Sequence, residues 1–234
     1  MSDQTKLVCS NAFVKLAEGI STTNLETAWT FSEGNGNVIF DVSASGHSLV
    51  LPETAPPAWV KGGLEWTYDV SNKIVYSLPF TIFSGSSGHS IVWMVKFISA
   101  GGSSCSFLTL EFSGSKMQWN YPTSADFYYT GDCGYASLQP SFWDNIYMIT
   151  LTHTGGDVLI YKNKILQSWD QESVSTGLGD VNKLTLGDTP YGGKSCAMLS
   201  CYLLTYSRVL NSTEIGSIFD ILKPIIEARG LTVS

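Results

Sequence analysis

The stretch from Ile149 to Tyr161 reads ITLTHTGGDVLIY and decides the fold class. Two runs of apolar and β-branched residues, Ile149 to Thr152 and Val158 to Tyr161, flank the turn signal Thr154-Gly155-Gly156-Asp157. Glycine tolerates the positive φ angles that tight hairpin turns require. Because a second polar reversal follows at Lys162-Asn163-Lys164, we predict a three-stranded antiparallel meander here.

The same strand period extends over most of the chain, from about Ala28 to Tyr206. Short apolar runs, alternating with polar residues, are separated by glycine, serine, asparagine and aspartate. No regular alternation of strands with helices accompanies them, so parallel βαβ units are not expected. The pattern predicts an all-β chain in which two antiparallel sheets pack face to face.

A helix is predicted near the C-terminal end. Asn211-Ser212-Thr213-Glu214 has the spacing of a capping box, and an apolar face follows at helical spacing from Ile215 to Leu222. We therefore expect a short C-terminal helix that docks on the sheets. Pro224 is expected to start a further turn of helix that ends at Gly230, because proline suits a first helical position and glycine the position after the last.

Composition and charge exclude several functions. The 234 residues are 44% hydrophobic and 14% charged, against roughly 25% charged residues in ordinary soluble domains. The net charge of −7 opposes binding to nucleic acid or to anionic lipid, since both require a basic surface. The longest apolar stretch, from Ile91 to Ala100, is too short for a membrane-spanning helix. We predict no nucleic-acid partner and no membrane insertion.

The N-terminal residues and the cysteines indicate where the chain is made. Met1 to Ile20 lack the basic start and apolar stretch of a signal peptide. The chain is therefore cytosolic, or already mature, or exported by a route that needs no signal. The five cysteines form no CxxC pair, and we interpret them as mostly reduced core residues. Synthesis in the cytoplasm fits both observations.

A series of motifs along the chain resembles a known family. The pieces are Ala28-Trp29-Thr30-Phe31, Val38 to Asp41 with Gly46, Phe80 to Ile82 with Trp93 to Lys96, Trp143 with the Ile149 hairpin, and Leu184 to Gly187 followed by Leu203 to Ile215. In this order they resemble the concanavalin A-like lectin/glucanase superfamily, specifically its laminin-G-like (LamG) modules. The resemblance implies a jelly-roll sandwich over residues 25–222, an N-terminal extension over 1–24 and a C-terminal tail over 223–234.

The residues that could carry catalysis are few. Glucanases of this superfamily place paired carboxylates on one strand, typically as Glu-x-Asp-x-x-Glu, and that motif is absent. Glu65 and Glu111 are the strand carboxylates that could face each other across a cleft, although outward-facing, solvated carboxylates explain them more simply. His47, His89 and His153 lie far apart in sequence, with no motif that would activate a nucleophile. We therefore predict that the chain is not an enzyme.

Aromatic residues are concentrated between Lys116 and Trp143, among glycine, serine, aspartate and asparagine. Sugar rings stack their C–H faces on aromatic planes while their hydroxyls bond to polar groups, so this segment could bind carbohydrate. The simpler alternative is that about half of these aromatics are core residues. The candidate carbohydrate-binding residues are those flanked by polar residues or glycine: Trp119, Tyr121, Tyr128, Tyr129 and Tyr135.

A cofactor is not required by any motif, but the resemblance allows calcium. Many LamG-like modules hold a calcium ion at one rim, and calcium prefers oxygen ligands. Asp126, Asp132 and Asp188 lie in predicted loops and are the weak calcium candidates. Ordinary solvated acids are the alternative.

These features lead to one functional hypothesis and two alternatives. The first is a non-enzymatic, lectin-like module that recognises a glycan or a protein surface in attachment or adhesion. A virion or phage surface component, made in the cytoplasm and assembled with other protein subunits, would fit it. The alternatives are a purely structural capsid or fibre protein, and a glycoside hydrolase with two carboxyl groups about 5 to 9.5 Å apart.

Overall fold

The structure is a computed structural model, and it confirms the all-β prediction. It describes residues 16–54, 56–67, 74–82, 88–100, 104–112, 115–122, 128–130, 145–154, 157–167, 181–187 and 196–234. These residues form antiparallel strands and one helix near the C-terminal end. The strands are β1 (Leu25–Trp29), β2 (Val38–Ile39), β3 (Leu49–Val50), β4 (Ala58–Val60), β5 (Gly63–Trp66), β6 (Ile74–Ile82), β7 (His89–Ala100), β8 (Ser104–Phe112), β9 (Ser115–Pro122), β10 (Tyr128–Thr130), β11 (Tyr147–Thr154), β12 (Asp157–Lys162), β13 (Ile165–Leu166), β14 (Val181–Leu186) and β15 (Cys196–Tyr206), and the helix is α1 (Ser212–Ala228).

The larger sheet has the strand order β13-β12-β11-β7-β15-β5-β4, with β1 also paired to β15. Strands β7 and β15, of 12 and 11 residues, lie at its centre. Successive side chains of a strand point to opposite faces. In β7 every residue from Ile91 to Val95 is fully buried, so both faces of the sheet are covered there. This explains why β7 reads as a continuous apolar run rather than as an alternating one.

The remaining strands form two smaller antiparallel sheets. A five-stranded sheet has the order β10-β9-β8-β14-β6, and β2 pairs with β3 alone. Strand β8 of the five-stranded sheet is in contact with β15 of the larger sheet. The jelly-roll connectivity and the boundaries at residues 24 and 222 stay predictions.

The predicted meander is confirmed. Strands β11 and β12 pair from Ile149 opposite Lys162 to Thr154 opposite Asp157, and β13 pairs with β12 on the other side. Residues 155 and 156 of the turn lie outside the described residues. At the second turn Asn163 has a φ of 57°, and its side-chain oxygen accepts a hydrogen bond from Met148 N at 2.9 Å. The polar residue that predicted the reversal therefore also ties the turn to β11.

Helix α1 begins at the predicted capping box. Asn211 Oδ1 accepts from Glu214 N at 3.0 Å, and Glu214 Oε2 accepts from Asn211 N at 3.0 Å. One face of α1 is buried against the larger sheet, as predicted. The sequence predicts that Pro224 starts a further turn of helix ending at Gly230; the structure instead has one continuous helix, which runs through Pro224 to Ala228. Proline cannot donate a backbone hydrogen bond, and the burial of Ile226 after it offsets the free energy lost in this way.

Strand β15 contains a buried cysteine. Cys201 is a free, buried thiol on β15, as expected for a reduced core cysteine, and its burial raises its pKa to about 12.

Helix α1 falls short of the length and apolar character needed to cross a bilayer, and it is the one helix among the described residues.

Candidate functional site

Four of the five predicted carbohydrate-binding residues lie on two adjacent strands. Trp119 and Tyr121 belong to β9, and Tyr128 and Tyr129 belong to β10, which is the edge strand of the five-stranded sheet. Tyr129 stands directly opposite Trp119 in the antiparallel register, and Tyr128 stands opposite Asn120. The pairing therefore brings residues that are about ten positions apart in sequence to one edge of the sheet. We call these two strands the aromatic edge.

Other predicted site residues fall outside the described part of the chain. Tyr135 and the calcium candidates Asp126, Asp132 and Asp188 all do so. Within the described ranges, no group of three or more histidine, cysteine, aspartate or glutamate side chains is arranged to hold a metal ion. Calcium binding stays a prediction.

The two strand carboxylates considered for catalysis belong to different sheets. Glu65 lies on β5 of the larger sheet, where it is half-buried, and Glu111 lies on β8 of the five-stranded sheet. Position 111 is flanked in register by Lys116 on β9 and Lys183 on β14. Opposite charges on neighbouring strands are a common way of stabilising a sheet, which accounts for a glutamate at this position without catalysis.

Two of the three histidines meet in the folded chain. His89 on β7 stands opposite His153 on β11, with ring centroids 5.8 Å apart and the planes 10° from parallel. Each is only 3% exposed. Burial, together with the positive charge that His153 can carry, lowers the pKa of His89 to about 4. His89 is therefore uncharged at neutral pH, and the contact between the two rings is one that sequence separation alone did not indicate.

Asp41 organises the loop between β2 and β3. Its Oδ1 accepts from the backbone N–H groups of Ala28 and Ser43, and its Oδ2 accepts from His47 N and Ser43 Oγ, at distances of 2.7 to 2.9 Å. In the sequence Asp41 stands out only as part of the Val38 to Asp41 motif. The structure shows that its carboxylate holds the loop against β1.

A cavity of about 780 Å³ opens where the end of α1 meets the turn between β4 and β5. The first residues described in the chain and the segment after β1 complete its wall. We call it the helix-end cavity. Its lining residues are Leu16, Ala17, Glu18, Phe31, Ser32, Gly34, Val60, Lys61, Gly62, Gly63, Tyr202, Ile225, Ala228 and Arg229.

Arg229, just after α1, is held in place at this cavity. Its Nη1 donates to the backbone carbonyl oxygens of Thr30 at 3.3 Å and Gly62 at 3.2 Å. Its guanidinium carbon lies 5.2 Å from the centre of the Tyr202 ring, within the range of a cation–π contact. The guanidinium group is thus held by one strand residue, Tyr202, and by backbone carbonyl groups of the segment after β1 and of the β4–β5 turn.

Glycine allows the β4–β5 turn to approach its neighbours closely. Gly62 has a φ of 95°, and a Cβ atom there would lie 2.3 Å from Leu231 Cδ1. At Gly63 a Cβ atom would lie 2.3 Å from the backbone oxygen of Ser200. Because backbone cannot move aside as a side chain can, Gly63 is required for β5 to lie against β15. The two glycines therefore place Lys61 beside the end of α1.

Burial changes the titration of two groups near the cavity. Burial raises the pKa of Tyr202, and the positive charge and hydrogen bond of Arg229 only partly oppose this. Tyr202 therefore keeps its hydroxyl proton at neutral pH and can donate a hydrogen bond. Burial also raises the pKa of Glu33, whose Oε1 accepts from Phe40 N at 2.8 Å. Such perturbed groups beside a cavity are typical of binding sites.

The chain was compared with known proteins at the levels of family, sequence and structure. No protein-family model matches it, and no curated protein does. The fold is similar to that of Trypanosoma rangeli sialidase in complex with the inhibitor DANA, with a TM-score of 0.70 and 18% identity over 88% of this chain and 34% of the sialidase. A mutant of the same sialidase displaying trans-sialidase activity matches with a TM-score of 0.68 and 19% identity, over the same shares.

A second kind of protein shares the fold. The botulinum neurotoxin type G receptor binding domain matches with a TM-score of 0.68 and 12% identity, over 86% of this chain and 52% of that domain. The chain thus spans about a third of the sialidases and about half of the toxin domain. At these identities the likeness establishes a shared β fold.

These neighbours correct the predicted function. The predictions of a non-enzymatic attachment module and of no enzyme are wrong, because the solved structures that match 88% of the chain are sialidases, one of them a covalent intermediate. The absence of the Glu-x-Asp-x-x-Glu glucanase motif does not imply the absence of hydrolase chemistry. Sialidases are among the glycosidases that depart from the usual carboxylate pair, so that motif could not decide the question.

Proposed function

We propose that the chain acts in glycoside hydrolysis of the sialidase kind, and that the aromatic edge binds the glycan. The observation that carries this proposal is the register of β9 and β10, which places Tyr129 opposite Trp119 on two adjacent strands at one end of the described five-stranded sheet. The shared fold with sialidases supports the reaction class.

The chemistry of the aromatic edge suits a sugar. Aromatic planes bind the apolar faces of sugar rings, and backbone and side-chain amides bind the hydroxyls. Asn120 lies between Trp119 and Tyr121 in the sequence of β9 and opposite Tyr128 in register, so the pairing places an amide residue among three aromatic positions. An edge strand also leaves one row of backbone groups without a strand partner.

The finer expectations from the sequence belong to the same proposal. A concanavalin A-like or LamG-like jelly roll would join the two larger sheets into one sandwich and put the aromatic edge at its margin. Calcium at Asp126, Asp132 or Asp188, and cytoplasmic synthesis with assembly into a larger particle such as a virion, remain predictions beside it.

The proposal is tested by two measurements on the full chain. The first is binding to immobilised sialyllactose and lactose, and the second is release of free sialic acid from sialyllactose. We expect both binding and release from the wild type. In the double variant Trp119→Ala/Tyr129→Ala we expect affinity to fall about tenfold or more, since each stacked pair contributes about 0.5 to 1.5 kcal/mol.

Phe40→Ala is the matched control, because Phe40 is an aromatic side chain that is 43% exposed and follows β2, which belongs to a different sheet from β9 and β10. It should bind like the wild type. Binding without release would remove hydrolysis from the proposal. Unchanged binding in a folded double variant would show that the aromatic edge does not bind the glycan. A wild type that neither binds nor hydrolyses sialyllactose would overturn the whole proposal.

A further inference from the structure

The helix-end cavity is lined by two cationic side chains, and the charge of Arg229 also acts on the carboxyl group of Glu33, whose pKa it lowers against the larger effect of burial. Within the part of the chain that the structure describes, neither Lys61 nor Arg229 has a carboxylate within ion-pair distance. The ion pairs of α1 among the described residues lie elsewhere, between Arg208 and Glu214, between Lys164 and Asp220 and between Lys223 and Glu227. Arg229 is also fixed by backbone carbonyl groups, so little side-chain entropy is lost when it binds an anion.

The rest of the wall is mainly apolar. Side chains from the first described segment, from the segment after β1, from β4 and from α1 contribute carbon surface. These residues are Leu16, Ala17, Phe31, Val60, Ile225 and Ala228. A volume of about 780 Å³ lies within the range of cavities that hold small organic ligands. The wall therefore favours a ligand with a substantial apolar body. A sugar is disfavoured because the wall offers it more apolar groups than polar partners.

We propose that the helix-end cavity is a second binding site, specific for a carboxylate carried on an apolar body such as a medium-chain fatty acid. Lys61 and Arg229 bind the carboxylate, and the apolar wall buries the chain. The hydroxyl group of Tyr202 is a further donor for the same oxygen atoms. This site is separate from the aromatic edge, because its lining comes from the larger sheet and α1.

The acidic groups nearby do not cancel this preference. Glu18 lines the cavity and is exposed, as Lys61 is, so water screens both of these charges, whereas Arg229 is half-buried and held by two carbonyl groups. Glu33 does not line the cavity, and one of its oxygens accepts from Phe40 N. A cationic ligand would have to lie beside Lys61 and Arg229, whereas an anion would gain charge-assisted hydrogen bonds from both.

The test uses three probes with the same ten-carbon chain and different head groups: decanoate, 1-decanol and decylamine. Binding to the full chain is measured by titration calorimetry below the micelle concentration of each probe. We expect decanoate to bind about tenfold or more tightly than decanol, since hydrogen bonds to charged groups contribute about 1.5 to 3 kcal/mol. Decylamine should bind most weakly.

Two variants locate the site. Lys61→Met keeps the approximate length of the side chain and removes its charge. In this variant the affinity for decanoate should fall to within about twofold of the affinity for decanol. Ala228→Trp places a large side chain at the wall of the cavity and should weaken the binding of both decanoate and decanol. Lys164→Met is the matched control, because Lys164 is an exposed lysine at the β12–β13 turn, away from the cavity lining, and it should leave all three affinities unchanged.

The outcome is independent of the glycan proposal. Trp119→Ala/Tyr129→Ala should bind decanoate like the wild type, so loss of glycan binding and loss of decanoate binding are distinguishable. Equal affinities for decanoate and decanol in the wild type would overturn the carboxylate specificity. A preference for decanoate that survives in folded Lys61→Met, or affinities unchanged in Ala228→Trp, would overturn the location.

Discussion

Acidification should destabilise the protein through the buried histidine pair. The pKa of His89 is about 4 in the folded chain, against an ordinary value of 6.5. A group whose folded pKa is lowered binds its proton more readily in the unfolded chain. The unfolded chain is therefore favoured as the pH falls from about 6.5 to about 4, and the stability is fully present above that window.

The magnitude follows from the difference between these two values. Each pKa unit corresponds to about 1.4 kcal/mol, so His89 accounts for a loss of about 3 kcal/mol across the window. The geometry supports a value of this order, because the rings are 5.8 Å apart and both histidines are only 3% exposed. A proton on either ring would place a charge in the interior beside its neighbour.

The assay is urea-induced unfolding at pH 7 and at pH 4.5, with the wild type compared with His89→Gln. Carboxylates titrate in both proteins, so the informative quantity is the difference between their losses of unfolding free energy. We expect the wild type to lose about 2 to 3 kcal/mol more than His89→Gln. His47→Gln is the matched control and should behave like the wild type, because Asp41 binds the backbone N–H of His47.

The result that would refute this reasoning is an equal loss of stability in the wild type and in His89→Gln. Measurement of the His89 imidazole by NMR gives an independent check. A titration midpoint near 4 is expected, and a midpoint above 6 would show that the pair is not desolvated as the structure indicates.

Three other substitutions have defined consequences for stability. Asp41→Ala should lower the unfolding free energy by about 2 to 4 kcal/mol, because four hydrogen bonds to its carboxylate are lost, and chemical denaturation measures this. Gly63→Ala should prevent β5 from pairing with β15, since its Cβ would lie 2.3 Å from Ser200 O; retention of the wild-type melting temperature would contradict this. Thr152→Val should stabilise the protein by about 1 kcal/mol in thermal unfolding, because Thr152 Oγ1 is buried with no hydrogen-bond partner among the described residues; destabilisation would indicate that the hydroxyl is satisfied in solution.

Local features of the fold were predictable because each depends on residues close together in sequence. The hairpin of β11 and β12 follows from two alternating runs and a glycine turn, and the start of α1 follows from the Asn211 capping box. Pro224 shows where such local rules fail. Proline ordinarily ends a helix, but packing of Ile226 against the sheet keeps α1 intact beyond it.

The candidate sites were predictable only in part. The aromatic residues of β9 and β10 were identified from composition, but which of them stand opposite each other depends on strand register. The helix-end cavity gave no signal in the sequence. Lys61, Tyr202 and Arg229 are separated by up to 168 positions, and each is unremarkable in its own segment.

The sequence by itself determined the all-β class, the meander and the capped helix, because backbone geometry and hydrophobic period act over a few residues. The tertiary structure decided which distant segments meet: β7 with β15, His89 with His153, and the end of α1 with the β4–β5 turn. Those contacts depend on burying both faces of the larger sheet at once. Because all the apolar strands must be buried together, the register of each strand depends on its neighbours, and no single segment determines that register.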